Sequence, residues 1–251
     1  MTDRAHAKPS LMDRMPAALK TPDAKLALRE VGVIALVFVG AALLLLSFAV
    51  LAEEVVEGDT HGLDVWLMSL FTEAGNPADR IGPDWFEEIV RDVTALGSYP
   101  FIIITVVIVG GYLMLVRKAD LAALMVGAIV GGMGISHLLK ELFDRPRPDI
   151  DHAVRVFTTS FPSGHATLSA VTFLTLAALL TRTRARRAVK IYFVAVAVVL
   201  TILTGLSRVY LGVHYPSDVL AGWCVGSAWA ILCWAAALLM QRKKHAGTET
   251  G

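Results

Sequence analysis

Six apolar runs, each about as long as a helix that crosses a bilayer, constrain this 251-residue sequence more than any other feature. They cover residues 31–52, 99–116, 121–139, 165–181, 191–206 and 219–240 and carry almost no charge. Crossing the hydrocarbon takes roughly 20 apolar residues per helix. A backbone in lipid must satisfy its own hydrogen bonds, so the runs predict helices. The expected fold is all-α, a polytopic six-span transmembrane bundle. Composition agrees: 55% of residues are hydrophobic, against about 45–50% in soluble domains. The formal net charge of +1 gives no field suited to nucleic acid. Both cysteines, Cys224 and Cys233, fall in one apolar run, with neither a disulfide framework nor metal-ligand spacing.

The basic residues set an orientation. Arg4, Lys8, Arg14, Lys20, Lys25 and Arg29 precede the first run. Arg117 and Lys118 separate the second from the third, and Arg182, Arg184, Arg186, Arg187 and Lys190 separate the fourth from the fifth. Arg242, Lys243 and Lys244 follow the sixth. With six spans all four segments share one side, predicted to be cytoplasmic. This divides the chain into a cytoplasmic segment 1–30, a six-span domain 31–240 and a cytoplasmic tail 241–251, within an inner (plasma) membrane. The first run is long and follows a long polar segment, which reads as an uncleaved anchor rather than a signal peptide. The first ten residues and the tail from Gln241 read as disordered.

The longest connection, residues 53–98, is acidic and lies on the opposite, extracytoplasmic side. Residues 61–73 and 83–96 show helical spacing, with Leu63, Trp66, Leu67 and Leu70 on one face. Two readings stand: interfacial helices that cover a site, or a loop resting on the bilayer. Trp66 and Trp85 suit a membrane interface in both.

Three polar clusters interrupt the apolar pattern. The first is Lys140-Glu-Leu-Phe-Asp-Arg-Pro-Arg147-Pro148, after the third run. The second is Pro162-Ser163-Gly164-His165, at the start of the fourth. The third runs from Ser207-Arg208 through His214 to Asp218, between the fifth and sixth. The topology puts all three on the extracytoplasmic side, so they can form one outward-facing site. Lys140, Arg147 and Arg208 bring cations to a region where charge is costly. Arginine forks match phosphate oxygens. Ser163 and Gly164 open a helix whose free N–H groups favour an anion. His165 and His214 exchange protons near neutral pH. Asp218, four residues after His214, can hold one ring nitrogen protonated and leave the other free to attack. His137 reads as a structural residue or as channel lining. Asp144, Arg145, Asp149 and Asp151 read as ordinary loop residues, and Gly131, Gly132 and Gly134 as sites of close helix packing.

In this pattern the sequence resembles the type 2 phosphatidic acid phosphatase superfamily, whose signature is K-x6-R-P, P-S-G-H and S-R-x5-H-x3-D. Every fixed position is filled, by Lys140, Arg147 and Pro148; by Pro162, Ser163, Gly164 and His165; and by Ser207, Arg208, His214 and Asp218. The resemblance implies a membrane lipid phosphatase that uses neither metal nor cofactor. It implies His214 as nucleophile forming a phosphohistidine, Asp218 as its orienting partner, and His165 as proton donor and then base. Lys140, Arg147, Ser163, Gly164 and Arg208 would bind the phosphoryl group. The expected partners are the bilayer and a lipid phosphate. Undecaprenyl diphosphate stands first, ahead of phosphatidylglycerol phosphate and phosphatidic acid. A lipid A phosphatase or phosphotransferase is a further alternative, and a lipid transporter the non-enzymatic one. Vanadium haloperoxidases resemble the same motif, but as soluble proteins, and the apolar runs argue against them.

Overall fold

A computed structural model describes residues 22–73, 76–148, 159–181 and 186–248. The long apolar stretches are helices, and the first and last of them run on into polar flanks. Helix α1 runs Pro22–Glu57, α4 Tyr99–Leu115, α5 Ala119–Phe143, α6 Gly164–Thr181, α7 Arg187–Tyr210 and α8 Pro216–Thr248. Between α1 and α4 lie α2 (His61–Ser69), the two-stranded hairpin β1 (Thr72–Glu73) and β2 (Asn76–Arg80), and α3 (Asp84–Ala95).

Among the described residues, five helices are long and apolar enough to span a membrane. The sixth span requires α4, which at 17 residues is only about 26 Å long. It is continued by α3 across a bend of 51°. Ser98 caps α4 by accepting a hydrogen bond from the Phe101 N–H at 3.4 Å, and Pro100 occupies its first turn. The outer surfaces of α1, α4 and α7 expose Leu36, Val107, Ile108 and Ile191, as suits helices that face lipid.

Helix α6 is the centre of the bundle. It packs on α5, α7 and α8, while α1 lies on the far side of α8 and α3 rests on α7. Small residues allow this. A Cβ on Gly226 of α8 would lie 2.4 Å from the Thr167 carbonyl oxygen of α6 and 2.9 Å from Ala170 Cβ. The two backbones touch there, and Gly226→Ala is expected to destabilise the protein by roughly 1–3 kcal/mol through overpacking, read as a lower midpoint of thermal unfolding in detergent. Two tryptophans of α8 use glycines in the same way. Trp229 lies over Gly131 of α5 and donates to the Ala128 carbonyl at 2.7 Å. Trp223 lies over Gly205 of α7 and donates to the Thr201 carbonyl at 3.1 Å. Both ring N–H groups are thereby satisfied within the bundle.

Several sequence expectations are amended. Gly131 and Gly132 do sit at close helix contacts, but Gly134 has nothing within 4 Å of a Cβ position. Helix α8 continues to Thr248, where a disordered tail was expected from Gln241; Gln, Arg, Lys and Ala are good helix formers, and cations suit a helix C-terminus. The first ten residues lie outside the described ones. The span centres are less uniformly apolar than the sequence suggests, since Thr172, Thr175 and Thr204 are buried.

The loop helices form where their spacing predicts, but each ends sooner. The helical pattern of 61–73 gives way to the hairpin, which pairs Thr72 with Arg80 and Glu73 with Asn76. In α2 the apolar stripe points outward: Leu63, Trp66 and Leu70 are all more than half exposed. The inward face buries Asp64 and Met68 instead. A carboxylate turned into the bundle needs a partner there, and the site supplies it.

Candidate active site

The helix ends bring the three signature clusters together. Lys140 lies in the last turn of α5, Ser163-Gly164-His165 opens α6, Arg208 closes α7, and His214 and Asp218 flank the start of α8. Asp144 ends α5 in the left-handed conformation, with φ of 40°, and turns the chain back toward α6. Contacts across the clusters are direct. The Ser163 N–H donates to the Asp218 carbonyl at 2.9 Å. A Cβ on Gly164 would sit 3.6 Å from Lys140 Cε, so the lysine stem lies along the α6 entry. Lys140 Nζ donates to the Thr159 carbonyl at 2.6 Å.

His214 is buried, with different partners on its two nitrogens. Nδ1 faces Asp218 Oδ2 at 3.4 Å, and Nε2 faces Arg147 Nη1 at 3.2 Å. A guanidinium only donates, so Nε2 is the acceptor and Nδ1 carries the proton toward the carboxylate. Burial pushes the imidazole down to about 3, against the pull of Asp218, so the ring is neutral at physiological pH. A neutral imidazole with an oriented carboxylate behind it and a cation in front of its free lone pair is an activated nitrogen nucleophile beside an anion site.

Arg147 also donates to the Val213 carbonyl at 2.6 Å, which holds the guanidinium over the His214 loop. Arg208 is 6% exposed and donates from Nη1 to Thr94 Oγ1 of α3 at 3.2 Å. Among the described residues, its Nε has no partner. A buried charged donor without an acceptor is costly, and a phosphoryl oxygen is the acceptor that guanidinium geometry suits. Lys140 lies within electrostatic reach of Arg147, Arg208 and Asp218. Ser163 is fully buried and its Oγ faces the Ala166 N–H at 3.5 Å, as a cap of α6. His165 is half-buried in the first turn of α6, and the α3–α4 corner holds it there. A Cβ on Gly97 would meet the His165 carbonyl at 2.9 Å and its Cβ at 3.0 Å.

The structure adds residues that sequence reasoning passed over. Arg145, expected to be an ordinary loop residue, is a hub: it pairs with Asp218 at 2.6 Å and with Asp64 of α2 at 2.9 Å. Ser160 is fully buried and donates a short hydrogen bond to Asp218 Oδ2. Thr94 contacts Arg208 from the loop. A charged residue inside an apolar helix was the available signal for Asp64, and position inside the first signature cluster was the signal for Arg145. His137, read from the sequence as structural or as channel lining, faces Glu141 at 3.3 Å on an exposed face. Asp149 and Asp151 lie outside the described residues. Beside the site, an apolar groove of about 280 Å³ runs between α3 and α7, lined by Phe86, Val90, Val93, Leu203, Leu206 and Tyr210 among others. Among the described residues no three His, Cys, Asp or Glu side chains group together as a metal site.

Similarity to known proteins bears on this arrangement directly. The sequence model of the PAP2 superfamily matches residues 121–241. Phosphatidylglycerophosphatase B of Bacillus subtilis is 33% identical over 147 residues, 57% of this chain and 70% of that one. The chain belongs to the PAP2 superfamily. The crystal structure of a transmembrane PAP2 type phosphatidylglycerolphosphate phosphatase from Bacillus subtilis superposes with a TM-score of 0.70 at 29% identity, covering 77% of this chain and 93% of that one. Lipid A 1-phosphatase of Rhizobium johnstonii is 36% identical over 108 residues, 39% of this chain and 40% of that one. The protein is thus a multi-span membrane member of a phosphatase family that acts on phosphate esters of lipids.

Proposed function

We propose that the protein hydrolyses a lipid phosphate through a phosphohistidine on His214. The observation that carries this is the placing of one buried imidazole between Asp218 on Nδ1 and Arg147 on Nε2. Nε2 attacks phosphorus and the bond to the leaving oxygen breaks, with His165 giving that oxygen its proton. His165 then takes a proton from water, the water oxygen attacks phosphorus, and the P–N bond breaks to release phosphate. Lys140, Arg147, Arg208, Ser163 and the Gly164 N–H bind the phosphoryl oxygens. Phosphoryl transfer asks mainly for positioning and charge stabilisation, and three fixed cations supply that without a metal ion. The groove between α3 and α7 suits an aliphatic chain, since its lining is apolar and its neighbours Thr94 and Arg208 belong to the phosphate end.

The site is inferred to face away from the cytoplasm. Lys140, Gly164, Arg208 and Asp218 sit at one set of helix ends, whereas Arg117, Lys118, Arg186, Arg187 and Lys190 sit at the other. Lys and Arg accumulate on the cytoplasmic side.

The test is phosphate release by the purified protein in detergent with EDTA. Phosphatidylglycerol phosphate, undecaprenyl diphosphate and phosphatidic acid are offered side by side, with His214→Ala as the blank. Release is expected to persist undiminished under chelation; a strict requirement for magnesium would overturn the mechanism. Preference for the diphosphate would favour recycling of a carrier lipid, the role expected first from the sequence. Preference for phosphatidylglycerol phosphate would favour phospholipid synthesis, in line with the name of the Bacillus relative.

A further inference from the structure

Asp218 holds His214 only weakly in its own right. Its Oδ2 is shared among the Ser160 hydroxyl, the Tyr215 N–H at 2.9 Å and His214 Nδ1 at 3.4 Å. What fixes the carboxylate is its other oxygen, Oδ1, which accepts from Arg145 Nη1 at 2.6 Å. Arg145 is itself fixed. The same Nη1 donates to Ser217 Oγ at 2.8 Å, the guanidinium lies 4.3 Å over the Tyr215 ring, and Nη2 donates to Asp64 Oδ2 at 2.9 Å. Asp64 in turn grips the start of α8. Its Oδ1 accepts from the Ser217 N–H at 2.9 Å and its Oδ2 from Ser217 Oγ at 2.5 Å. That N–H is one of the donors a helix start leaves unpaired, so a residue 153 positions away caps α8.

The three side chains are almost fully buried: Arg145 is 11%, Asp64 3% and Asp218 0% exposed. We propose that Asp64 and Arg145 are positioning residues of the reaction, a buried charge relay by which loop helix α2 sets the orientation of Asp218 and, through it, the nucleophile His214. This rests on the proposed phosphohistidine chemistry. The planar guanidinium has a rigid fork, so Asp64 cannot shift without turning the edge that Asp218 accepts from. Asp64 also balances Arg145, whose full positive charge would otherwise fall on Asp218 alone and draw it away from the imidazole. The docking of α2 and the alignment of the catalytic pair therefore become one event. The relay makes no contact with the phosphate cations Lys140 or Arg208 among the bonds described, so its loss acts on the chemical step rather than on substrate affinity.

The test compares the unsubstituted protein with Asp64→Asn, Arg145→Lys and the double variant, all in detergent on the lipid phosphate that the unsubstituted protein cleaves best. Asp64→Asn keeps shape and hydrogen-bonding capacity but removes the charge. It is expected to lower kcat roughly tenfold to a hundredfold, the range for outer partners of catalytic groups, with KM within about twofold as expected for an effect confined to the chemical step. Arg145→Lys keeps the charge and loses the fork, and is expected to fall at least as far. The double variant is expected to be no worse than Arg145→Lys, because residues in one chain are not additive. Thermal unfolding and the monodisperse fraction in detergent correct each rate for folded protein. An unchanged kcat in Asp64→Asn, a loss confined to KM, a loss equal to the folded fraction lost, or additive losses in the double variant would each overturn the relay. No release by the unsubstituted protein from any lipid phosphate would instead overturn the phosphatase reading, and the relay with it.

Discussion

His214→Ala is expected to leave a folded protein that turns over no substrate. The His214 imidazole is buried, and its Nε2 faces the phosphate-binding Arg147 at 3.2 Å. Removing a nucleophile typically lowers kcat by roughly 10⁴-fold or more. Folding is expected to survive because Asp218 keeps most of its partners. Arg145, the Ser160 hydroxyl and the Tyr215 N–H still satisfy its two oxygens. Arg147 likewise keeps the Val213 carbonyl. The measurement is initial-rate phosphate release at matched folded protein, together with quench trapping of the acid-labile phosphoenzyme. The unsubstituted protein is expected to show the phosphoenzyme and the variant none. A variant rate within tenfold of the unsubstituted one would mean that His214 is neither the nucleophile nor the base, since loss of a positioned base alone costs about 10²–10⁴-fold.

What the sequence discloses here follows from what lipid and phosphate demand locally. A bilayer forces helices of a certain length, so the six apolar runs show themselves residue by residue. α4 is the partial exception, because its span depends on a bent partner helix that no composition window reveals. The signature residues are legible because each stands out against apolar surroundings: Lys140 at the end of one run, His165 at the start of the next, Arg208 and Asp218 around the last break.

The pairing of Arg145 with Asp64 was not legible, for a physical reason. Each alone looks like a solvated loop or surface charge, and only their approach across 81 positions makes a buried pair of them. The periodicity of α2 found the apolar stripe of Leu63, Trp66 and Leu70 correctly but could not say that the stripe faces outward. The partner of its inward face, Arg145, lies beyond α5. Thr94 and Gly97 are hidden in the same way. Their significance is a close approach of the α3–α4 corner to Arg208 and His165, and sequence pattern carries no distances.

The second large effect is expected at His165, and it depends on the leaving group. As proton donor, a positioned histidine contributes typically about 10²–10⁴-fold. With a phosphomonoester the leaving oxygen is an alkoxide, a poor leaving group unless protonated as the bond breaks. His165→Ala is therefore expected to lose about 10²–10⁴ in the first step, and to form no detectable phosphoenzyme on the timescale of turnover. With a diphosphate the leaving group is a phosphate, already stable as an anion, so the first step needs little help. The second step is the same for both substrates, because the phosphoenzyme is the same and water must lose a proton to something. On undecaprenyl diphosphate, His165→Ala is thus expected to give a rapid burst of one product per site, followed by slow turnover with phosphoenzyme accumulated. Rapid-quench measurement of both substrates separates the steps. Equal loss of the burst with monoester and diphosphate would remove His165 from proton transfer and leave it a packing partner of the Gly97 corner. A burst kept only with the diphosphate would make His165 the proton donor to the leaving oxygen.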